Sequence, residues 1–193
     1  MGYVAFDLEI MDAVDGVTKT WDDARNGRCG VSVLCLYDSD LDQYLMFDNN
    51  NLTDGLQYLR HADLIVGFNS REFDVPCLEG AAGQSLGFVP HCDMLQEIWG
   101  VLGKRRKGFK LADICERTLG ITKNTSGDHA PDLYAAGRFA ELHTYCLRDV
   151  QLTARLFEYI VDNGHIIDPV GDKLEVNIGR SFEARVSGSD ETE

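Results

Sequence analysis

The sequence predicts an α/β fold, and three observations carry that reading. Three short apolar runs, split by polar turns, fall within residues 3–47, as in an antiparallel meander. Helical and strand patterns then alternate. A long amphipathic pattern from about Phe139 to Ile160 closes the series, with Leu142, Tyr145, Cys146, Asp149, Leu152, Leu156 and Phe157 at helical spacing.

Each element has a local reason. Tyr3-Val4-Ala5-Phe6 is aromatic, β-branched and small, so residues 3–9 read as a buried strand. Residues 10–28, with Gly16, Asn26 and Gly27, read as a loop-like excursion. Cys29–Tyr37 is the second strand, Asp38-Ser39-Asp40 turns the chain, and Gln43–Phe47 is the third. Asn51 is placed to cap a helix over Leu52–His61, whose apolar stripe is Leu52, Leu56 and Leu59. Leu64–Phe68 is the fourth strand. A helix begins near Asp74, where Pro76 is tolerated in the first turn. Residues 88–92 form a short fifth strand. Asp93 with Gln96 has the pattern of a capping box, and that role is preferred for Asp93 over a catalytic one. Residues 104–110 are a basic loop, Leu111–Leu119 a helix ended by Gly120, and 121–131 a polar loop. From Asn163 the chain turns polar and Gly-rich, with a hairpin expected before a disordered acidic end at Ser187–Glu193. The expected division is therefore a domain over residues 1–162 and a C-terminal extension over 163–193.

Composition excludes several classes. With 193 residues and 44% hydrophobic content the chain can bury one core. No apolar run approaches the roughly 20 residues that span a membrane, and no secretory leader is expected. Met1-Gly2 is not a myristoylation signal, because Phe6 stands where Ser or Thr is required. None of the six cysteines forms a Cys-x-x-Cys pair, and most sit among apolar residues, as reduced thiols in a cytoplasmic protein do. The histidines lack zinc-site spacing. A net charge of −14 disfavours a general nucleic-acid binder but not an enzyme that grips only a strand end.

The acidic pattern is more specific. Asp7 and Glu9 are two apart on the first strand, so their carboxylates share one face. Such a pair repels itself, and a divalent cation with oxygen ligands relieves it most simply. Asp74 follows the fourth strand. Tyr145 and Asp149 are i,i+4 neighbours on the last long helix.

These positions resemble the DEDD-type 3′→5′ exonucleases of the ribonuclease H-like superfamily, in the tyrosine (DEDDy) subclass. Asp7-Leu8-Glu9 matches the family's Asp-x-Glu motif. Asn69, Phe73 and Asp74 match Asn-x(2–3)-Phe/Tyr-Asp, and Tyr145 with Asp149 matches Tyr-x(3)-Asp. The histidine subclass would need His at position 144, which is Thr144; His143 is out of register. The resemblance runs from about Val4 to Phe157 and is nearer to the proofreading domains of family B DNA polymerases. Ile10, where many members carry Thr, and the long stretch Met11–Arg28 depart from the pattern.

The resemblance implies a mixed five-stranded sheet of order 3-2-1-4-5, with strand 2 antiparallel and helices on both faces. It also implies two divalent cations, Mg²⁺ or Mn²⁺, held by Asp7, Glu9, Asp74 and Asp149, with Asp7 bridging both. Hydrolysis of a phosphodiester needs a hydroxide, in-line geometry and charge relief on the leaving oxygen, which two such cations supply. Tyr145 would orient the attacking water; an unperturbed tyrosine titrates near pH 10, so simple base catalysis by it at neutral pH is disfavoured. Asn69 and Phe73 would contact the substrate end. In the basic loop, Arg105 and Arg106 are suited to hold the strand's backbone, although such charge runs are commonly solvated faces.

The implied activity is release of nucleoside 5′-monophosphates from the single-stranded or frayed 3′ end of a nucleic acid, DNA favoured over RNA. A polymerase, helicase or other replication or repair protein is the expected partner, and no membrane. Two alternatives stay open: a catalytically weak module that binds nucleic acid or a replication partner, and an endonuclease of the same superfamily.

Overall fold

The structure is a computed structural model that describes residues 2–122 and 130–178. The first strand, β1 (Val4–Ile10), pairs antiparallel with β2 (Val31–Asp38), which pairs antiparallel with β3 (Gln43–Asp48). On its other edge β1 runs parallel to β4 (Ile65–Gly67), and β4 runs parallel to β5 (His91–Asp93). The sheet order is β3-β2-β1-β4-β5, as expected from the resemblance.

Alternation along β1 explains how the sheet is filled. Tyr3 and Ala5 belong to one core cluster, and Val4, Phe6, Leu8 and Ile10 to the other. The first cluster is covered by α7 (Phe139–Asn163), through Leu142, Tyr145, Cys146, Leu152 and Leu156. The second is covered by α2 (Leu52–Arg60) and α3 (Asp74–Ala82), through Leu52, Leu56, Leu59 and Leu78. Asp7 and Glu9 continue the face of Tyr3 and Ala5, so they emerge at the end of the sheet beneath α7.

A bulge marks that end. Glu9 pairs with Val33, but Ile10 pairs with Val31, leaving Ser32 as an extra residue on β2. Its hydroxyl donates to the Glu9 carbonyl at 3.0 Å. The bulge thus lies on β2 beside Glu9, at the end of the sheet where the carboxylates stand.

Four local expectations change. The excursion at residues 10–28 is not only loop: it contains α1 (Trp21–Arg25), capped by a reciprocal Thr20/Asp23 box. Asn51 precedes α2 but does not cap it; its side-chain oxygen accepts from the Asp48 N–H at 2.7 Å instead. The loop expected at 121–131 gives way to α6 (Ala130–Ala135), while 123–129 lie outside the described residues. β4 and β5 are shorter than their apolar runs. The remaining helices, α4 (Met94–Leu102) and α5 (Leu111–Leu119), agree, and α5 is closed by Gly120 at φ 68°.

The expected hairpin forms as β6 (His165–Ile167) with β7 (Lys173–Glu175), and Ile166 and Val176 join the core under α7. Ser187–Glu193 lies outside the described residues. No helix among the described residues is long and apolar enough to cross a membrane. All six cysteines are buried and unbridged.

Candidate active site

Three elements converge at the end of β1. The strand supplies Asp7 and Glu9, both half-buried. Helix α7 crosses them with Tyr145, Cys146 and Asp149 buried. The ligand atoms of Asp7, Glu9 and Cys146 lie within 4.8 Å of one another. Cys146 Sγ is 3.4 Å from the Asp7 carbonyl and 3.9 Å from Asp7 Oδ2. Burial, the adjacent Cys35 thiol and the two carboxylates hold the Cys146 thiol well above its usual range, so it stays protonated.

The third element is the first residue of α3. Asp74 is buried, and its Oδ1 accepts from the Leu8 N–H, between the two strand carboxylates, at 3.2 Å. Its pKa is pushed up to about 7, chiefly by burial, which the backbone hydrogen bonds from Leu8 and from its own N–H only partly offset; repulsion from Asp93 and Asp149 adds a smaller push in the same direction. Asp149 therefore faces Asp74 closely enough for their charges to interact. The structure brings Asp7, Glu9, Asp74 and the Tyr145–Asp149 face of α7 to one place.

The turn between β4 and α3 is built for precision. Asn69 takes the left-handed conformation at φ 64°, which Asn tolerates better than most residues. Its carbonyl accepts from the Phe73 N–H at 3.1 Å. Asp93 accepts from the Asn69 and Arg71 N–H groups at 2.9 and 3.0 Å, while also capping α4 through Leu95 and Gln96. Asp93 thus joins β5, α4 and this turn, which accounts for its burial without a catalytic role.

Asn69 and Phe73 line a cleft of about 660 Å³ that also contains Glu9, Trp21 and Arg25. Tyr145 opens on a second cleft, of about 730 Å³, with Asp132, Arg138 and Arg148. The site thus borders two clefts rather than one closed cavity.

Arg105 and Arg106 are exposed. The Arg105 guanidinium pairs with the Glu72 carboxylate, one contact being Nη1 to Oε2 at 3.0 Å, and lies 5.3 Å over the Trp99 ring. The Arg106 carbonyl accepts from Trp99 Nε1 at 3.3 Å. Arg105 therefore reaches the turn that carries Phe73, by way of its neighbour.

The donor set fits divalent cations that prefer oxygen. Asp7, Glu9, Asp74 and Asp149 are carboxylates, and a bound cation would stabilise the ionised form of Asp74 that burial, with a smaller push from Asp93 and Asp149, disfavours. Two residues near the site carry no sequence signal of their own. Cys146 sits in a variable position of Tyr-x(3)-Asp, and Trp21 lies in the excursion. The Thr20-x-x-Asp23 spacing is the one trace of the helix that positions Trp21.

Comparison with known proteins adds the following. The family model for the RNase_H superfamily matches residues 33–161, an interval that includes Asp74, Tyr145 and Asp149 and begins after β1. No curated protein matches. Among solved structures, the chain is similar to the family B DNA polymerase of the hyperthermophilic archaeon Pyrobaculum calidifontis, with a TM-score of 0.61 and 19% identity over 83% of this chain. The match spans 24% of that polymerase, so the likeness is to a part of it and concerns the fold.

Proposed function

This chain belongs to the RNase H superfamily, and from that premise we propose that it is a metal-dependent 3′→5′ exonuclease of the DEDDy subclass. The observation that carries the reading is the meeting of Asp7 and Glu9 with Asp74 and the Tyr145–Asp149 face of α7. The proposed catalytic unit is residues 1–162, with 163–193 as an extension whose hairpin seats Ile166 on its core.

Asp7, Glu9, Asp74 and Asp149 would hold two Mg²⁺ or Mn²⁺ ions. Bound there, such ions supply an ionised water at neutral pH and charge relief at the leaving 3′ oxygen. The chain's own residues do the rest. The Tyr145 hydroxyl orients the attacking water. Asn69 and Phe73 receive the terminal nucleotide, and Arg105 and Arg106 face the approaching backbone. The substrate is a single-stranded or frayed 3′ end, DNA in preference to RNA, and the products are nucleoside 5′-monophosphates. Binding only a strand end is compatible with the net charge of −14. A replication or repair protein in the cytoplasm is the natural partner for such an activity.

The test is digestion of end-labelled single-stranded DNA, RNA and mismatched duplex with Mg²⁺ or Mn²⁺. Mononucleotides should appear from the 3′ end, a 3′-phosphate should block attack, and a 5′ block should not. Chelation should abolish hydrolysis. Full activity after rigorous chelation overturns the two-cation mechanism. Efficient cutting of a circular strand overturns the exonuclease reading in favour of an endonuclease, and cation binding without turnover overturns it in favour of a binding module.

A further inference from the structure

Trp21 is 57% exposed, an unusual state for the largest side chain in a protein with a full core. It is the first residue of α1, and it projects into the cleft that holds Glu9, Asn69 and Phe73. Its ring packs against Phe73 at a centroid distance of 5.5 Å and an interplanar angle of 78°. An edge-to-face pair of this kind covers at most one face of the indole, and the ring lines the cleft.

The rest of α1 holds that ring in place. The Thr20/Asp23 box fixes the start of the helix. Gly27 and Gly80 let the backbones after α1 and in α3 touch: a Cβ on Gly27 would meet the Gly80 carbonyl carbon at 2.2 Å. Arg25 Nε donates to the Glu72 carbonyl at 2.7 Å, tying α1 to the turn that carries Phe73. The excursion is therefore anchored to both the helix and the turn that form the site. A cleft of about 660 Å³ with a fixed aromatic wall is in the size range of small-molecule sites.

We propose that Trp21 is the stacking platform for the base of the 3′-terminal nucleotide, and that it favours purines. This rests on the exonuclease reading for the identity of the ligand. Stacking on an aromatic ring tolerates every base but rewards the larger π surface, so the platform ranks purine over pyrimidine ends without reading sequence. The family motifs supply Phe73; the excursion that follows β1 supplies the second ring.

Trp21 and Trp99 are the two tryptophans. A Trp99→Phe background keeps a ring beneath Arg105 and leaves Trp21 as the sole indole. Titration with deoxyadenosine should quench its fluorescence more strongly than deoxycytidine, and deoxyribose should not quench it. In kinetics, Trp21→Ala should raise KM about tenfold on ordinary 3′ ends. It should leave KM unchanged on a strand whose terminal nucleotide is abasic, and Trp21→Phe should keep part of the wild-type value. The fluorescence arm needs neither the alanine variant nor bound cations. Absence of quenching by both nucleosides, or an unchanged KM for Trp21→Ala on base-bearing ends, overturns the platform. A wild-type protein that hydrolyses no strand overturns the exonuclease reading instead, and base-dependent quenching would still support a base-stacking role for Trp21.

Discussion

Helices α3 and α4 each begin beside a buried aspartate, and the two carboxylates interact electrostatically, yet they live differently. Asp93 accepts from four backbone N–H groups, those of Asn69, Arg71, Leu95 and Gln96. Asp74 accepts from Leu8 across the chain, and faces Asp149. Both are burdened by burial, which raises their proton affinity. For Asp93, four backbone donors offset part of the burden. For Asp74, two do, and Asp149 adds a further, smaller push toward the neutral acid. A buried acid with several donors holds structure together; one with fewer, set beside another carboxylate, costs stability unless a bound cation offsets its charge.

The largest effect expected belongs to the carboxylates set against one another. Asp7→Ala should lower kcat by about a thousandfold or more, because Asp7 is proposed to touch both cations. Its metal-free stability should hold or rise, since a repelling charge is removed. Melting curves with and without Mg²⁺ check the second half, and near-wild-type kcat would place the chemistry elsewhere.

Tyr145→Phe comes next. The ring still packs in the core, where Tyr145 is 6% exposed, but the hydroxyl that would orient the water is gone. A loss of about a hundredfold in kcat is expected, with cation affinity nearly unchanged and stability altered by at most about 1 kcal/mol. His143→Ala should be much milder, because His143 lies two residues from Tyr145 and so on another helix face. A reversed ranking, measured in single turnover, would remove the tyrosine-subclass assignment.

The carboxylate set was legible because its residues sit on the most regular elements. Asp7 and Glu9 share a strand face by period two, and Tyr145 and Asp149 share a helix face by i,i+4, so sequence spacing is spatial spacing there. The sheet order was legible only through the resemblance, since parallel pairing of β1 with β4 involves residues far apart in the chain. The excursion was not legible, because α1 has five residues and too little apolar periodicity to register. Its place is set by a backbone contact between Gly27 and Gly80, and glycine has no side chain whose pattern could announce it. Asn51 misled for a related reason: Asn can serve a turn as readily as a helix cap, and Asp48 took its oxygen. Arg105 was legible as a charge but not as the partner of Glu72.

Asp93→Ala should show the opposite profile to Asp7→Ala. It removes the α4 cap and two donors' partner in the Asn69–Arg71 turn, so a destabilisation of about 2 to 3 kcal/mol is expected. Activity should fall through KM as the turn carrying Phe73 loosens, with kcat kept within about tenfold. Denaturant unfolding and steady-state kinetics on one preparation separate the two. A kcat loss as deep as that of Asp7→Ala, with stability intact, would make Asp93 catalytic and collapse the contrast with Asp74.

The smallest effect is a pH dependence visible only when the buried groups are taken apart. Asp74 has its pKa raised from 3.8 to about 7, so the fold favours the neutral acid. Its contribution is present below pH 3.8 and is lost as pH rises toward 7. His91 is the mirror case. Burial, with the neighbouring Arg71 charge, lowers its pKa from 6.5 to about 3, and its ring nitrogen meets the Ser70 hydroxyl at 2.9 Å. Its contribution is present above pH 6.5 and is lost as pH falls toward 3. Between about pH 4 and 6.5 the two slopes oppose, so in the metal-free protein they nearly cancel. Asp74→Asn should expose the His91 slope, with stability gaining as pH rises through that window relative to wild type. His91→Gln should expose the Asp74 slope, with stability falling. Subtracting the wild-type curve removes the background of the other acids. Denaturant midpoints taken at half-unit pH steps in EDTA give both differences. If Asp74→Asn leaves the curve parallel to wild type, Asp74 is ionised in the metal-free fold, and burial does not hold its carboxyl neutral there.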